Sequence, residues 1–482
     1  MHFTTDACNL ELSDGRRRDR EWLAAQLEGG EARFVLVAGD RGASVAVRAA
    51  QEGGGLLVGE LRRGAELPAG LLRGEPIFLG EIEQDGGKVA VFAAEVVQEQ
   101  LAGEGEGAES GADDVRWVDL RKTCSRGELP QGDASLLALG RQLVVWRRSA
   151  RFCGSCGAPT RARKGGWAAT CTAAGCGVSV YPRLDPCIIT FVKSHCEQWV
   201  LLGHNVKWEA ARFALLAGFV EPGEALEDCV VREVLEETGV RVEPSTVRYT
   251  CSQPWPFPQS YMLGFSAKAE AGAGGSGADA EALPEGCPSL PPTWLAKCST
   301  DGELACSKWF HVDWLREHRA AADSRGARWD ARGFHFPGGY SLARRMLEAE
   351  LASPSAAWTG PPLPFARLAE GKQKWVLLRV TDDNGSVRLT IAGDPRAPYH
   401  ADILAHEATR LQEAGAASVE CLGGAFTELR TEDGTLRVWG DSSRFGPAHE
   451  GATAALLQAG YPMFALNIER IPGTVVSGAH AE

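Results

Sequence analysis

The segment that decides the fold reads Gly218-Phe219-Val220-Glu221-Pro222-Gly223-Glu224 and, seven residues later, Arg232-Glu233-Val234-Leu235-Glu236-Glu237-Thr238-Gly239-Val240. From Ala225 to Thr238 no residue breaks a helix, and Gly239 supplies a left-handed stop. The apolar spacing predicts a buried stripe on this helix, formed by Leu226, Val230, Val234 and Leu235.

Three acidic side chains crowd one face of the predicted helix, because Glu233, Glu236 and Glu237 stand at i, i+3 and i+4. Like charges this close repel one another unless a cation lies among them. Oxygen ligands suit Mg²⁺ or Mn²⁺, and Mg²⁺ leaves coordination positions to water and to substrate phosphates. The pattern therefore predicts a divalent-metal site that binds a diphosphate.

The flanking residues of this segment are expected to support the metal site. Arg232 is predicted to hold Glu224, and the turn at Gly218 and Gly223 lets the backbone approach closely. The alternative is a solvated acidic helix face, which is the usual explanation for a short Glu run. The segment fits the pattern G-x5-E-x7-R-E-U-x-E-E-x-G-U, in which U is apolar, at every fixed position. This simultaneous agreement weighs against that alternative.

Composition describes a globular chain of 482 residues, long enough for about two to four domains. The net charge of −13 argues against charge-driven binding of nucleic acid or of an anionic membrane, but permits an anion held through a metal. The sequence contains no apolar run of about 18 residues, so no membrane-spanning helix is predicted. We expect a cytoplasmic protein, since no targeting signal is recognised and the 14 cysteines are mostly scattered. An organelle such as the peroxisome stays open.

Four cysteines form two pairs, Cys153 with Cys156 and Cys171 with Cys176. Two thiolate pairs on turn-rich sequence predict a tetrahedral zinc site that is structural, because four cysteines leave no open coordination position. Reduced core cysteines or a redox pair remain as alternatives.

The remaining patterns define the surroundings of these two sites. A mixed domain is predicted for residues 1–147, with strands at Phe34–Val37 and Val89–Phe92 and a helix over Ala134–Trp146, and it would support dimerisation or cover a site. Strands are predicted at Cys187–Val192 and Trp199–Leu202. Loops or linkers of biased composition are predicted at 101–114, at about 270–300 and at 352–364.

Beyond the acidic segment, the sequence Ser252 to Ser260 contains three prolines in five residues and is expected to prevent a regular strand ladder. Trp255 and Phe257 alternate with these prolines and would provide a rigid aromatic wall for a flat ring. The alternative is a Pro-rich edge segment that only covers the core.

The C-terminal part is predicted to be a separate unit with strands at 375–380, 387–391, 419–424 and 436–440 and a helix that follows Pro398–Ile403 and runs to about Glu413. Lys374, His400 and the loop Ser442–Arg444 supply cationic and hydrogen-bonding groups near strand ends, as phosphoryl chemistry requires. The alternative for His400 is a helix cap or a surface residue.

Taken together, the four-cysteine ribbon, Tyr181-Pro182-Arg183, the acidic segment and Ser-Gln-Pro-Trp-Pro-Phe-Pro-x-Ser resemble the NADH pyrophosphatase family of Nudix hydrolases. The acidic segment matches the Nudix box. The resemblance implies hydrolysis of NAD(H) to AMP and a nicotinamide mononucleotide, with Mg²⁺ or Mn²⁺ on Glu233, Glu236 and Glu237. It also implies substrate contacts from Tyr181, Phe219, Gln253, Trp255, Ser260 and Ala343. Where the family carries a second Glu in a downstream Glu-Ile-x-Glu-Ala-x-Trp-Phe segment, this chain has Cys306, which puts the catalytic rate in question.

Three C-terminal motifs, Tyr-His-Ala-Asp-Ile, Glu-Cys-Leu-Gly-Gly and Ser-x-x-Phe-Gly-Pro-Ala, resemble the phosphohistidine phosphatase (Janus/Ocnus) family. That resemblance implies a metal-independent phosphatase of phosphoamidates, with His400 as base or nucleophile and with Lys374 and Ser442 holding phosphate. Where relatives carry Arg after the glycine run, this chain has Ala425-Phe426, and Arg444 is the candidate to supply the charge.

We therefore expect a multidomain α+β protein: an N-terminal mixed α/β domain (1–147), a zinc ribbon (148–183), a Nudix α/β/α sandwich (184–351), a linker (352–364) and a phosphohistidine-phosphatase-like α+β domain (365–482). The main hypothesis is a bifunctional hydrolase that acts on NAD(H) and on phosphohistidine proteins. The alternatives are NAD-cap removal from RNA and a weakened nucleotide-sensing scaffold. A homodimer is expected by analogy with the Nudix relatives.

Overall fold

The protein is described here from a computed structural model, in which residues 9–38, 44–49, 56–57, 62–63, 72–84, 86–96, 115–208, 212–270, 285, 302–319, 337–352 and 363–469 are placed. The predicted loop 101–114 and nearly all of the predicted insertion and linker lie outside these described residues. The chain divides into two compact units. One comprises Met1–Ile188, Cys251–Gly264 and Gly338–Arg345, and the other comprises Ile189–Thr250, Phe265–Pro337 and Met346–Glu482.

The N-terminal region folds as a mixed sheet covered by helices. Its helices are α1 (Arg20–Glu28), α2 (Leu120–Ser125) and α3 (Gln131–Ser149), and its strands are β1 (Arg33–Ala38), β2 (Ser44–Ala49), β3 (Leu56–Leu57), β4 (Arg62–Arg63), β5 (Leu72–Gln84), β6 (Gly87–Val96) and β7 (Val115–Asp119). The strand order is β3-β2-β1-β6-β5, with β4 beside β1 and β7 beside β2. Helix α3 packs closely on β1, because a Cβ at Gly140 would stand 2.8 Å from Val35. The two strands and the helix predicted here are confirmed.

A small antiparallel sheet follows, formed by β8 (Thr160–Arg163), β9 (Ala168–Cys171) and β10 (Ser179–Val180) in the order β10-β9-β8. Its buried Ala169 packs with Trp146 and Ala150 from the end of α3. This contact fixes the ribbon to the helix that precedes it.

The central region contains the strands β11 (Asp185–Lys193), β12 (Trp199–Asn205), β13 (Leu216–Phe219), β14 (Arg248–Trp255), β15 (Ser260–Lys268) and β16 (Leu304–His311), and the helices α4 (Leu226–Thr238), α5 (Val312–Arg319) and α6 (Leu342–Ala352). The strand order is β14-β15-β11-β12-β16, with β13 beside β11. The strands predicted from Cys187 and from Trp199 are therefore present.

The predicted interruption of the strand ladder across Ser252 to Ser260 is only partly correct, since strand β14 continues through Pro254 to Trp255. The physical reason is its position at the edge of the sheet, where one side of the strand has no strand neighbour among the described residues. Only the residues from Pro256 to Gln259 lie outside the two strands.

Helix α4 begins after the N-cap Ala225 and ends at Gly239, whose φ of 71° is left-handed, as the sequence predicts. The predicted apolar stripe is only partly correct. Val230 and Val234 are fully buried, but Leu235 is 43% exposed. Cys229 is fully buried on this helix, although the sequence did not predict it. It lies one turn before Glu233, and its thiol contacts the carbonyl oxygen of Phe219 in β13.

The C-terminal region is an α+β domain with the strands β17 (Ala366–Arg367), β18 (Gly371–Thr381), β19 (Val387–Asp394), β20 (Ser418–Arg430), β21 (Thr435–Trp439) and β22 (Ala465–Ile468), and the helices α7 (His400–Glu413) and α8 (Glu450–Gly460). The strand order is β17-β19-β18-β20-β21-β22. Alternation along β18 builds two cores, because Val376 and Leu378 pack with Ile403 of α7 while Trp375 packs with Leu456 of α8. The predicted strands are confirmed, and the predicted helix is present but begins earlier, at His400.

The multidomain α+β fold expected from the sequence is confirmed by these elements. None of the described helices combines the length and the apolar character that a membrane crossing requires.

Candidate active site and metal centres

The junction of β13 and α4 forms an acidic site in which the Glu233 carboxylate lies against the backbone of Gly218. A Cβ at residue 218 would overlap both carboxylate oxygens of Glu233, so only glycine leaves room for this arrangement. Burial raises the pKa of Glu233 above its usual value, although Arg232 opposes the shift. The strand and the helix together hold one carboxylate at a defined place.

Arg232 organises the remaining acidic groups. Its guanidinium donates to both oxygens of Glu224, from Nε at 2.6 Å and from Nη2 at 2.9 Å, and Nη1 lies 3.0 Å from Glu233 and 3.1 Å from Glu236. Nη2 also donates to the carbonyl oxygen of Phe219 at 3.0 Å. The contact with Arg232 lowers the pKa of Glu224 to about 2, so that carboxylate stays ionised. The predicted Arg232–Glu224 contact is present.

The three predicted metal-binding carboxylates differ in exposure. Glu237 is buried at 6% relative exposure, the Glu233 side chain is 14% exposed and that of Glu236 is 52% exposed. Two deep carboxylates and one outer carboxylate lie along one helical turn, and oxygen is the ligand type that Mg²⁺ or Mn²⁺ prefers. The space that Gly218 leaves for Glu233 fits this use, because a fixed carboxylate needs less reorganisation to coordinate a cation. Among the described residues, however, only the four ribbon cysteines already meet at the spacing of a metal site.

The predicted substrate-binding residues occupy two kinds of position. Tyr181 and Phe219 are both 58% exposed, whereas Ser260 and Ala343 are buried. Gln253 is fully buried, and its Nε2 donates to the carbonyl oxygen of Tyr340 at 2.9 Å. Its Oε1 has no hydrogen-bond partner among the described residues.

Tyr340 is a residue that sequence reasoning did not single out. Its ring stacks on Trp255 with centroids 5.5 Å apart and planes 13° from parallel, and its backbone orients Gln253. The predicted aromatic wall therefore includes a third aromatic ring. The sequence holds one signal for it, since Tyr340 stands just before the helix that contains Ala343.

Strand β16 places Cys306 opposite His204 of β12, next to a register shift between His204 and Asn205. The Cys306 side chain is half-buried. Glu303, the acidic residue three positions upstream, is exposed and precedes the strand. The irregularity lies beside the position that departs from the family pattern.

The four ribbon cysteines meet in one cluster. All four sulfur atoms lie within 4.8 Å of one another, and the Sγ–Sγ distance is 3.7 Å for Cys153 and Cys176 and 3.5 Å for Cys156 and Cys171. Tetrahedral zinc with Zn–S bonds of about 2.3 Å requires sulfurs roughly 3.8 Å apart. The cluster thus has the donor type and the spacing of a structural zinc site. The backbone amides of Ser155 and Cys156 lower the pKa of Cys153 to about 6, whereas contacts with the other sulfurs raise the pKa of Cys171 and that of Cys176.

In the C-terminal domain, His400 begins α7, and its buried ring lies over β20. Its Nε2 lies 3.1 Å from the carbonyl oxygen of Ala425, which can only accept, so Nε2 donates its N–H to that oxygen. Gly424 makes room for this ring and for Ser442, because a Cβ there would stand 2.9 Å from His400 and 3.3 Å from Ser442. The structure therefore brings His400 and Ser442 together.

Lys374 and Arg444 have different surroundings. Lys374 donates to the carbonyl oxygen of Pro398 at 2.6 Å, and its Nζ lies 5.8 Å from the ring centroid of Phe426. Arg444 is exposed, and its guanidinium lies 5.6 Å from the ring of Phe445. Phe426 occupies the position beside His400, with ring centroids 5.4 Å apart.

Three features identify the class of this protein: a mixed sheet, an acidic helix whose Glu233 lies against Gly218, and a four-cysteine ribbon. Together they define a Nudix hydrolase with a zinc ribbon. Family models agree in chain order: an NADH pyrophosphatase-like rudimentary NUDIX domain matches residues 27–146, an NADH pyrophosphatase zinc ribbon domain 148–181, a NUDIX domain 186–330 and the Janus/Ocnus family 362–465.

Curated relatives place the chain more narrowly. A protein named NAD-capped RNA hydrolase NudC from Pseudomonas syringae pv. syringae is 31% identical over 352 residues, which cover 72% of this chain and 99% of that protein. Proteins of the same name from Mycobacterium bovis and Stutzerimonas stutzeri are 33% and 38% identical, with 57% and 41% of this chain and 75% and 61% of those proteins covered. The chain belongs to the NADH pyrophosphatase (NudC) family of Nudix hydrolases and carries an additional Janus/Ocnus domain.

Proposed function

We propose that this protein hydrolyses the pyrophosphate bond of NAD(H). One water is added across the P–O–P bridge, and the products are AMP and nicotinamide mononucleotide. The observation that carries the proposal is the carboxylate of Glu233, fixed against Gly218 beside the Arg232–Glu224 pair. The names of the curated relatives, which act on NAD-capped RNA, support a dinucleotide substrate.

Glu233, Glu236 and Glu237 would hold Mg²⁺ or Mn²⁺. When bound there, the cation neutralises diphosphate charge and makes a bound water a stronger nucleophile. Arg232 keeps Glu224 ionised and orients Glu233 and Glu236 through its two terminal nitrogens. The protein groups therefore determine where negative charge is concentrated before the substrate arrives.

The base-recognition roles remain part of the proposal. Gln253 presents a buried Oε1 that can accept a hydrogen bond from a carboxamide N–H, such as that of nicotinamide. Trp255, Ser260 and Ala343 are proposed to line the dinucleotide site. Tyr181 and Phe219 keep ring surface exposed and are proposed to stack on a base.

The decisive experiment is product analysis with NADH, NAD⁺ and related dinucleotides in the presence of Mg²⁺ or Mn²⁺. We expect AMP release by the wild-type protein and a loss of at least about 100-fold for Glu236→Gln, since removal of one ligand charge weakens metal binding. Glu227→Gln is the matched control, because Glu227 is an exposed acidic residue in the first turn of the same helix. Metal-independent turnover, or full activity of Glu236→Gln, would reject the proposal.

Two further measurements with the same protein distinguish the two alternative functions. If the protein is an RNA decapping enzyme, NAD-capped oligonucleotide will compete with free NADH at much lower concentration than the uncapped oligonucleotide. If Cys306 makes the protein a nucleotide-sensing scaffold, NADH will bind without turnover, and Cys306→Glu will restore AMP release.

For the C-terminal domain we propose dephosphorylation of phosphohistidine in proteins. Its support is the orientation of the His400 ring, which directs Nε2–H to Ala425 and leaves Nδ1 as the nitrogen that would act as base or nucleophile. Lys374, Ser442 and Arg444 are the proposed phosphate-binding groups. His400→Ala is expected to abolish release of phosphate from a phosphohistidine peptide, whereas His406→Ala, which changes an exposed histidine of the same helix, retains it. Unchanged activity of His400→Ala would reject the assigned role.

We also propose a structural metal, a compartment and an oligomeric state. Zn²⁺ at Cys153, Cys156, Cys171 and Cys176 is proposed to be structural, and the cytoplasm is proposed as the compartment from cysteine usage. A homodimer is proposed by analogy, and light scattering should then report twice the 51.5 kDa of one chain.

A further inference from the structure

A row of side chains crosses four neighbouring strands of the C-terminal sheet. Lys374 of β18 pairs with Asp394 of β19 on one side and with Phe426 of β20 on the other, and Phe426 pairs with Trp439 of β21. Residues directly opposite one another on adjacent strands share a face of the sheet. This row therefore forms one continuous strip on the face that α7 covers, next to His400.

The centre of the strip is aromatic. The rings of Phe426 and Trp439 are stacked, with centroids 6.3 Å apart and planes 16° from parallel, and the His400 ring meets Phe426 edge-on at 5.4 Å. Both Phe426 and Trp439 are only half-buried. Part of the stacked pair is therefore accessible to a ligand.

Within the row itself, Lys374 is the cation available to a phosphate, and its neighbour in the row is the acidic Asp394. A ligand that carries a flat ring as well as a phosphate would gain stacking energy from Phe426 and Trp439 in addition to its contact with Lys374.

We propose that this strip binds nucleoside 5′-monophosphates, with the base on the Phe426–Trp439 pair and the phosphate toward Lys374, His400 and Ser442. Both products proposed for the Nudix site belong to this class, so the C-terminal domain would retain or sense them. The choice of this class rests on the proposed pyrophosphate hydrolysis, but the binding itself depends on neither hydrolytic activity.

Titration calorimetry of the full-length chain, without added Mg²⁺ or Mn²⁺ and without chelator, tests this site. AMP, nicotinamide mononucleotide, ribose 5-phosphate and adenosine are the probes. We expect both nucleotides to bind at least about tenfold more tightly than ribose 5-phosphate or adenosine. A difference between AMP and nicotinamide mononucleotide would identify which product is favoured.

Two variants separate stacking from folding. Phe426→Ala should weaken AMP binding about tenfold, whereas Trp439→Phe, which keeps a ring, should change it less than threefold. Phe426→Arg should favour ribose 5-phosphate relative to AMP. Equal binding of AMP and ribose 5-phosphate by the wild-type protein, or no effect of Phe426→Ala in a folded protein, overturns the proposal.

Photolabelling with 8-azidoadenosine 5′-monophosphate locates the bound base, because the Nudix site also accommodates nucleotides under the proposed function. We expect labelled peptides from β20 and β21, and excess AMP should protect them. Labelling confined to other segments overturns the proposed site and leaves NADH hydrolysis intact. If β20 and β21 are labelled but the protein does not hydrolyse NADH, the proposed function is contradicted and the proposed binding site is retained.

Discussion

Gly218 and Glu233 show how one missing side chain can determine where a carboxylate lies. The Glu233 carboxylate occupies the space in which a Cβ of residue 218 would stand. Its burial raises its pKa, and Arg232 limits that rise. Position and charge of this carboxylate therefore depend on a glycine in the strand and on an arginine in the helix.

Gly218→Ala should lower kcat/KM for NADH by roughly 100-fold, because the added methyl group displaces Glu233 from its place. Steady-state kinetics and metal titration measure the effect, and metal affinity should fall together with turnover.

Gly223→Ala is the comparison for this substitution. Gly223 has a φ of +87° with open space around its Cβ position, so alanine should reduce stability by about 1 kcal/mol through backbone strain. It leaves Glu233 in place and should retain most of the activity. Equal activity losses in the two variants would show that the overlap at residue 218 is not decisive.

The sequence predicted the elements better than the side-chain environments within them. Helix α4 follows from its residue pattern and from Gly239, but the exposure of Leu235 depends on which surfaces pack on the helix. Pro254 was expected to interrupt a strand, yet β14 lies at a sheet edge, and edge position is a tertiary property.

Residues far apart in sequence show the same limit. The stacking of Trp255 on Tyr340 and that of Phe426 on Trp439 require knowledge of neighbouring elements. Short motifs revealed the acidic helix and the cysteine ribbon, because their chemistry depends on local spacing. They could not reveal partners that the fold supplies from elsewhere.

The ribbon is the element for which metal removal gives the clearest result. Cys171→Ser replaces a thiolate whose sulfur lies 3.5 Å from that of Cys156. We expect zinc content to fall from about one ion per chain to less than about 0.1, with a lower Tm, because metal binding and ribbon folding are coupled. Elemental analysis and thermal unfolding measure both effects.

Cys196→Ser changes an exposed cysteine outside the ribbon and should keep the zinc. Wild-type protein that is purified without zinc, and whose unfolding is unaffected by chelator, would contradict the structural role of the cluster.

At the scale of the whole molecule, the end of β16 and helix α5 contact the C-terminal domain within one compact unit. The Trp314 indole donates to the carbonyl oxygen of Gly460 at 3.2 Å, and the His311 ring lies edge-on to Phe365 with centroids 4.5 Å apart. Arg388 of β19 lies 3.9 Å from Asp313. The additional domain is therefore packed against the strand that contains Cys306.

His311 makes this contact sensitive to acid. Its Nδ1 accepts the backbone N–H of Asp313 at 3.1 Å, and its Nε2 has no hydrogen-bond partner among the described residues. Burial lowers the pKa of His311 to about 4. Asp313 opposes this shift, and Arg388 and Arg316 add to it. Between about pH 6.5 and 4 the unfolded chain therefore binds the extra proton, so stability falls as the pH is lowered through this window.

His311→Asn should remove this part of the acid sensitivity, because asparagine keeps an acceptor for Asp313 but does not titrate. The wild-type protein should lose about 2.5 kcal/mol more than the variant between pH 7.5 and 4.5, as follows from the pKa difference. Denaturant unfolding at both pH values measures the difference. His406→Asn, at an exposed site, should behave like the wild type. Parallel pH dependence of the wild type and His311→Asn would show that protonation of His311 does not weaken the packing of the two domains.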